Sequence, residues 1–230
     1  MILVATGLKR EARILGHPTM RVVAGGGDRR RLERELDAAA LAATAIISIG
    51  LGGALADDLR PGDWVVASRV LLTLEAGDHA PTDPDWTDSL LGILPGARAG
   101  TILGSDLMIA DREAKRRTRQ LTGAAIVDME SHIVAAVAAR HGLPFAVARV
   151  VSDAAHRSLP SAAQAGMAAD GGMDVFAVIR ALAADPRQLA ALIRVGGEAE
   201  TAFRALGRGR DLLGPRLGRP DLGELLLDVT

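Results

Sequence analysis

The 230-residue chain contains no cysteine, few aromatic residues and no long uninterrupted apolar run. The lack of cysteine excludes disulfide bonds, thiolate metal ligands and a thiol nucleophile. No stretch approaches the roughly 18 apolar residues of a membrane-spanning helix, and the N-terminus lacks the plan of a signal peptide, so we expect a cytoplasmic protein. Aromatic residues make up 2% of the chain. A pocket for a flat ring would therefore need aliphatic or methionine walls.

The charges nearly balance, with 27 Lys and Arg against 28 Asp and Glu. This balance argues against a basic nucleic-acid binder, and 49% hydrophobic residues argue against a disordered chain. The length fits one α/β domain over residues 1–230, with a C-terminal helical extension from about residue 185. His132 and His141 are too far apart for a helical metal-ligand pair, and we expect no metal site.

Short β-branched runs alternate with longer helical stretches, which predicts a three-layer α/β/α domain with a mixed, twisted central sheet. Strands are predicted at 2–6, 21–24, 45–49, 64–68, 101–103, 126–129 and 145–151. Helices are predicted at 8–15, 29–43, 112–121 and 131–141, within 162–184, and at 186–206. Residues 50–53 and 76–86 are predicted to form loops. Ligands collect at the carboxyl ends of strands in such sheets, so chemistry is expected there.

Glu11, Glu130 and Asp153 lie at or just beyond predicted strand ends. Glu11 and Glu130 also fit as ordinary first-turn residues of helices, where the helix dipole favours negative charge. Asp153 directly follows a continuous apolar strand, although a capping role is an alternative for it. Separated carboxylates suit the cleavage of a glycosidic bond. That reaction needs a proton donor for the leaving group and negative charge near a sugar that becomes an oxocarbenium ion.

The sequence around these acids carries recognisable motifs. The segment 127–131, VDMES, precedes a predicted helix, and the segment 144–153, PFAVARVVSD, follows it. These paired segments resemble the signature of the superfamily of nucleoside phosphorylases and methylthioadenosine/S-adenosylhomocysteine (MTA/SAH) nucleosidases. The segment 7–12 is similar to the first strand end and catalytic Glu of that family, and 50–53 to its glycine-rich loop. The resemblance spans residues 1 to about 155 and implies a nucleoside phosphorylase-like fold.

The resemblance also implies roles for individual residues. Glu130 would accept hydrogen bonds from the ribose hydroxyls, Met129 would pack beneath the sugar, and Asp153 would protonate the purine. Backbone groups of Met108 and Ile109 would bind the adenine edge, with Met108 standing where the nucleosidases have an aromatic residue. The further substrate-binding residues that it implies are Ser152, Gly50, Gly52 and Gly53.

The nucleophile stays open between water and phosphate. Glu11 is retained as in the hydrolytic branch of the family, where it helps to activate water. Gly50, however, stands where the nucleosidases carry a serine. A phosphate co-substrate would need amide or cationic donors, for which Gly7, Gly50 and Arg29 are candidates. Arg29 also fits as part of a solvated basic helix start. No other cofactor is expected.

Within the superfamily, the segment 152–160 is most similar to the hopanoid-associated phosphorylases, which implies adenine release from adenosylhopane. Such a lipid-linked nucleoside implies peripheral contact with a membrane. Leu212, Leu213, Leu217, Leu222 and 225–227 could form an apolar surface for it, although such leucines more often cover a core or a subunit contact. We expect a homo-oligomer.

Three other functions are alternatives for this sequence. One is an MTA/SAH-type nucleosidase, and another is a non-catalytic module that binds a purine or a lipid-linked nucleoside. A dinucleotide-dependent oxidoreductase is suggested by the glycines at 50–53. It is disfavoured because Pro61 and Gly62 interrupt the chain where the dinucleotide motif needs a long helix.

Overall fold

The structure is a computed structural model that describes residues 1–74, 78–165 and 175–220. Within these ranges the strands are β1 (Ile2–Thr6), β2 (Met20–Ala24), β3 (Ala45–Ala54), β4 (Trp64–Leu71), β5 (His79–Pro81), β6 (Arg98–Gly104), β7 (Ile126–Asp128) and β8 (Phe145–Asp153). The helices are α1 (Lys9–Leu15), α2 (Arg29–Ala40), α3 (Pro84–Ile93), α4 (Arg112–Thr122), α5 (Ser131–His141), α6 (Ser161–Ala165), α7 (Val175–Ala184) and α8 (Leu189–Leu213).

The strands of the described chain form one mixed sheet. β2, β1, β3 and β8 lie side by side and parallel, and β4 is antiparallel to β8. β6 and β7 continue parallel from β4, and β5 is an antiparallel edge strand on β4. β7 then runs back along the end of β3, pairing Val127 with Gly53. The ends of β3, β7 and β8 therefore meet, because Gly53 also pairs with Asp153.

Helices cover both faces of this sheet. α2 and α5 pack on one face, where Leu32 and Leu36 of α2 are one turn apart and fully buried. α1, α3 and α8 pack on the other face, which contains both tryptophans, Trp64 and Trp86. The predicted three-layer α/β/α architecture with a mixed central sheet is confirmed.

The glycine-rich segment 50–53 is part of β3, and its prediction as a loop was wrong. A Cβ added to Gly52 would lie 2.7 Å from Ile126 Cγ2. Glycine thus allows β7 to approach the end of β3 closely, so that the strand continues where composition indicates a turn.

The predicted loop at 76–86 was also wrong over its described part, since it contains β5 and the start of α3. The Asp83 side chain accepts a hydrogen bond from the Trp86 amide, and Pro84 occupies the first turn, which is a typical helix start. Trp86 is buried and its indole N–H donates to the Leu217 carbonyl. Residues 75–77 lie outside the described residues.

The C-terminal helix α8 packs within the three-layer domain. Leu206, Leu213 and Leu217 are buried with Trp64, whereas Leu212 is exposed. Leu213 and Leu217 therefore cover the core, and they are not available to a membrane. Leu222 and 225–227 lie outside the described residues, as do 166–174 between α6 and α7.

Candidate active site

Glu11 turns its carboxylate from α1 back towards the sheet and is 2% exposed. Its Oε2 accepts hydrogen bonds from Thr6 Oγ1 at 2.6 Å and from the first two backbone amides of the β1–α1 turn. Its Oε1 accepts from the Leu51 amide at 2.7 Å. A Cβ on Gly50 would lie 2.8 Å from that same Oε1, so the glycine at this position leaves room for the carboxylate.

Glu130 occupies the N-cap position of α5 without capping the helix through its side chain. The Asp128 carboxylate performs the capping, since it accepts hydrogen bonds from the amides of Glu130 and Ser131. The Glu130 side chain instead reaches Gly7, where an added Cβ would lie 2.9 Å from Oε1 and 3.5 Å from Glu11 Oε2. Glu11 and Glu130 therefore meet over Gly7, so the explanation of Glu130 as a helix-start acid does not fit.

Burial raises the pKa of Glu130 to about 8, although the nearby Arg149 guanidinium opposes the rise. The negative charges of Asp128 and Glu11 add to the effect of burial. At neutral pH the Glu130 carboxyl is therefore protonated to a much larger extent than an ordinary glutamate.

Arg149 lies in the middle of β8 and is completely buried. Its Nε donates to Asp128 Oδ2, and its Nη2 donates to Ser48 Oγ at 2.5 Å and lies 3.5 Å from Glu130 Oε2. Its Nη1 is buried without a partner among the described residues. No role was predicted for Arg149. The available signal was a charged residue within an apolar strand, which requires a buried counter-charge.

Asp153 is the last residue of β8, and both its carboxylate oxygens lie 3.5 Å from where a Cβ of Gly53 would be. The Ser152 hydroxyl donates to Oδ1 at 2.6 Å. Lys115, from α4, forms a buried ion pair with Oδ2. Sequence reasoning missed Lys115. The signal for it was the rarity of lysine, with two lysines, Lys9 and Lys115, among the 27 cationic residues.

A small cleft of about 10 Å³ beside Glu130, room for about one water molecule, is lined by Met129 and Glu130 together with Arg29, Asp106 and the glycine turn after β2. Arg29 Nη1 donates to Asp106 Oδ2 at 2.5 Å, and His132 Nε2 lies 2.9 Å from Asp106 Oδ1. Partial burial opposes any lowering of the Asp106 pKa, but these two hydrogen-bonding partners outweigh it, so the pKa lies below its ordinary value. The structure thus brings three predicted residues, Met129, Glu130 and Arg29, to one cleft.

Other predicted residues lie apart from the lining of this cleft. Met108 and Ile109 follow β6, and Ile109 packs against a small apolar cluster that includes Leu103 and Val127. Asp153 lies at Gly53, beyond the stretch of β3 that contacts Glu11. The acids therefore form two groups along β3, with Glu11 and Glu130 at one and Asp153 at the other.

Comparison with known proteins agrees with this mixed α/β domain. The family model of the phosphorylase superfamily matches residues 33–184. The chain therefore belongs to the phosphorylase superfamily. A relative, the 5'-methylthioadenosine/S-adenosylhomocysteine nucleosidase of Treponema pallidum (strain Nichols), is 32% identical over 103 residues, which are 40% of this chain and 38% of that protein. The chain thus matches well under half of that relative.

Solved structures of nucleosidases share the fold. The Helicobacter pylori enzyme of the same name, bound to butyl-thio-DADMe-Immucillin-A, superposes with a TM-score of 0.61 at 14% sequence identity. The superposition covers 90% of this chain and 96% of the Helicobacter pylori chain. The Colwellia psychrerythraea enzyme in complex with adenine has a TM-score of 0.61 at 17% identity and covers 79% of this chain and 95% of its own. Along the described part of this chain, no helix combines the length and apolarity needed to cross a membrane.

Proposed function

We propose that this protein cleaves the N-glycosidic bond of an adenine nucleoside. The observation that carries the proposal is the set of three buried carboxylates, Glu11, Glu130 and Asp153, packed against strand-end glycines of one sheet. Glu130, with Met129 beside it in the cleft, faces the sugar and accepts hydrogen bonds from its hydroxyls. In its ionised form it stabilises the positive charge that develops on the ribose in the transition state.

Asp153 reacts in its protonated form: it gives its proton to the departing base and is left as a carboxylate. It lies further along β3 than Glu130, so the base extends from the sugar towards Gly53. The chain position of Asp153 at the end of an apolar strand and its hydrogen bond from Ser152 support a fixed carboxyl group at that place. A positioned general acid accelerates such a cleavage because the leaving base need not depart as an anion.

Water is the nucleophile in this proposal: its oxygen bonds to the sugar carbon that the base leaves, and Glu11 takes up the proton that it releases. The backbone amide of Gly7 already donates to Glu11, and carboxylate oxygens of Glu11 and Glu130 lie close to Gly7. A phosphate ion at Gly7 or Gly50 would face these acids and would find the Gly7 donor occupied. Arg29, the cationic candidate, is paired with Asp106. These contacts favour hydrolysis over phosphorolysis.

For the substrate we propose adenosylhopane, on the resemblance of the segment 152–160 to the hopanoid-associated phosphorylases. This substrate would bring the enzyme into peripheral contact with a membrane, and we propose a homo-oligomer. An MTA/SAH-type nucleosidase is a second candidate, favoured by the 32% identity to the Treponema pallidum enzyme. The two candidates share the adenine and the ribose and differ in the group at the ribose 5-position.

The test is the release of adenine, followed by chromatography. Methylthioadenosine, S-adenosylhomocysteine and detergent-dispersed adenosylhopane are each incubated with the protein, with and without inorganic phosphate. We expect adenine without phosphate, fastest from adenosylhopane. A strict requirement for phosphate would overturn the hydrolytic assignment, and a preference for methylthioadenosine would select the second candidate.

Asp153→Asn separates the enzyme from a non-catalytic binding module. The variant should release adenine about a hundredfold more slowly or worse, the usual scale for a lost general acid. Adenine binding, measured by calorimetry, serves as the control that the pocket is intact. Wild-type protein that binds the nucleoside yet releases no adenine would mean a binding module, and unchanged turnover in the variant would remove Asp153 from the mechanism.

A further inference from the structure

Lys115 is the least exposed cationic residue of α4, with no accessible surface, whereas its neighbours Arg116 and Arg117 are exposed. Its ammonium group donates to three oxygens: Asp153 Oδ2 and the carbonyls of Ala154 and Arg157, the last two at 3.1 Å. An ammonium group has three donors, so all of them are used within the protein. The Lys115 side chain is therefore held in one position and is not accessible to solvent.

The loop after Asp153 is also held to α4 by contacts that do not involve Lys115. The Leu159 amide donates to the Ala110 carbonyl at 2.9 Å, and the Ser158 hydroxyl donates to Asp111 Oδ2 at 3.0 Å. These bonds join the loop to the start of α4 on their own. Lys115 adds two bonds to the loop carbonyls and supplies the charge-assisted bond to the Asp153 carboxylate.

A carboxylate has about four acceptor positions, two on each oxygen. Ser152 uses one on Oδ1 and Lys115 uses one on Oδ2, which fixes the plane of the group from both sides. One position on each oxygen is left for a substrate. Removing Lys115 would free Oδ2 and leave a buried carboxylate with one protein donor, so the group would rotate or draw in water.

We propose that Lys115 is a positioning residue, which orients the Asp153 carboxyl group towards the purine and stabilises the carboxylate that remains once Asp153 has given its proton to the base. The inference rests on the proposed function, because it assigns to Lys115 an effect on a step that Asp153 carries out. Lys115 does not itself touch the substrate. Misplacing a reacting group by about 1 Å can cost about 100-fold in rate.

Lys115→Met tests the inference, with Arg117→Met as the matched control. Both changes remove one positive charge from α4, but Arg117 is exposed and has no contact with Asp153. We expect kcat for adenine release to fall about 10-fold to 100-fold in Lys115→Met. KM should change little, because the sugar contacts at Glu130 are untouched. Arg117→Met should keep both constants. Equal kcat in the two variants would overturn the inference.

A double-mutant cycle with Asp153→Asn distinguishes positioning from a general loss of structure. If Lys115 acts through Asp153, the Lys115→Met change should have almost no further effect on kcat in the Asp153→Asn background. The double variant buries neither charge, so it should fold better than Lys115→Met alone. Losses that multiply in the double variant would contradict the inference. If Asp153→Asn leaves turnover intact, the proposed role of Asp153 fails, whereas a loss in Asp153→Asn without one in Lys115→Met rejects the positioning role alone.

Discussion

Glu130 is subject to opposing effects that decide when it carries a charge. Burial raises its pKa to about 8, and the single guanidinium within reach, Arg149, is bonded more closely to Asp128. The proposed chemistry requires the ionised form, because only a carboxylate carries the negative charge that stabilises an oxocarbenium ion. The free protein must therefore lose this proton before or during binding.

This requirement predicts the pH dependence of catalysis. We expect kcat/KM for adenine release to rise with pH up to about 8 and to level off above it, since kcat/KM reports groups of the free enzyme. In Glu130→Gln this rise should disappear and the remaining activity should be low. A wild-type profile that is flat between pH 6 and pH 8 would show that the proton on Glu130 does not limit the reaction.

Gly50 offers a test of how Glu11 is held. In Gly50→Ala the new Cβ would lie 2.8 Å from Glu11 Oε1 and 3.0 Å from Thr6 Oγ1. The carboxylate can move away only by giving up hydrogen bonds such as the one from the Leu51 amide. We expect a loss of about 1–3 kcal/mol in the free energy of unfolding, measured with urea, and a fall in kcat.

Gly92→Ala is the matched control for this change. Gly92 lies within α3, and an added Cβ there would meet no atom within 4 Å. Alanine should stabilise this helix by up to about 1 kcal/mol. If Gly50→Ala were as stable and active as Gly92→Ala, Glu11 would not depend on the space that Gly50 provides.

Candidate site residues could be predicted where they lie within a recognisable motif. They could not be predicted where they pair with a residue from a distant segment of the chain. Glu11, Glu130 and Asp153 were predicted from their places at strand ends. Lys115 was not, because α4 has no apolar stripe and its basic sequence is typical of a solvated helix. Its partner Asp153 is 38 positions away along the chain. A pairing of that kind follows from the way β8 and α4 pack, which the local pattern does not contain.

At the scale of elements, α8 makes contacts that a loosely attached extension would lack. An added Cβ at Gly209 would lie 2.4 Å from Trp64 Cζ2 and 3.0 Å from Leu94 Cδ2. Trp64 is 3% exposed, so it has no room to move. Gly209→Ala should therefore lower the free energy of unfolding by about 1–3 kcal/mol or more through overpacking.

Gly207→Ala, two residues earlier on the same helix, provides the comparison. Its Cβ would meet no atom within 4 Å, so alanine should add up to about 1 kcal/mol through helix propensity. Opposite signs for the two variants in thermal unfolding are expected. Stabilisation by both would mean that α8 is not packed against Trp64 in solution.

The way in which the elements pack explains which of them could be predicted from the sequence. Strands with apolar, β-branched residues, such as β1 and β8, were found close to their observed bounds because burial on both faces leaves a continuous apolar run. The segment 50–53 was missed because its glycines are required by a tertiary contact with β7, and local composition indicates only a turn. For α3 the start signal at Asp83 and Pro84 was present, but the surrounding Asp, Pro and Thr residues concealed it.

At the scale of the whole molecule, the buried charges are divided between two regions of the sheet. Arg149 pairs with Asp128 and approaches Glu130 near Gly7, and Lys115 pairs with Asp153 near Gly53. Two cations thus face four buried acids at these places, because Glu11 lies beside Glu130. Neither Glu11 nor Glu130 has an ionic partner closer than 3.5 Å among the described residues. Folding therefore buries a carboxyl group that binds a proton more tightly than it does in the unfolded chain.

This imbalance predicts how global stability depends on pH. The pKa of Glu130 is raised by folding from its ordinary 4.5 to about 8, so its contribution to stability is fully present below pH 4.5 and is lost as pH rises through about 8. Between these limits the unfolded chain ionises Glu130 while the folded protein keeps the proton. The wild type should lose stability relative to Glu130→Gln by about 1.4 kcal/mol per pH unit at most. Urea unfolding of both proteins at several pH values measures this difference in the free energy of unfolding. Groups that titrate alike in the two proteins do not contribute to it. A difference that stays constant or grows in favour of the wild type with rising pH would mean that Glu130 is ionised in the folded protein, with Arg149 as its effective partner.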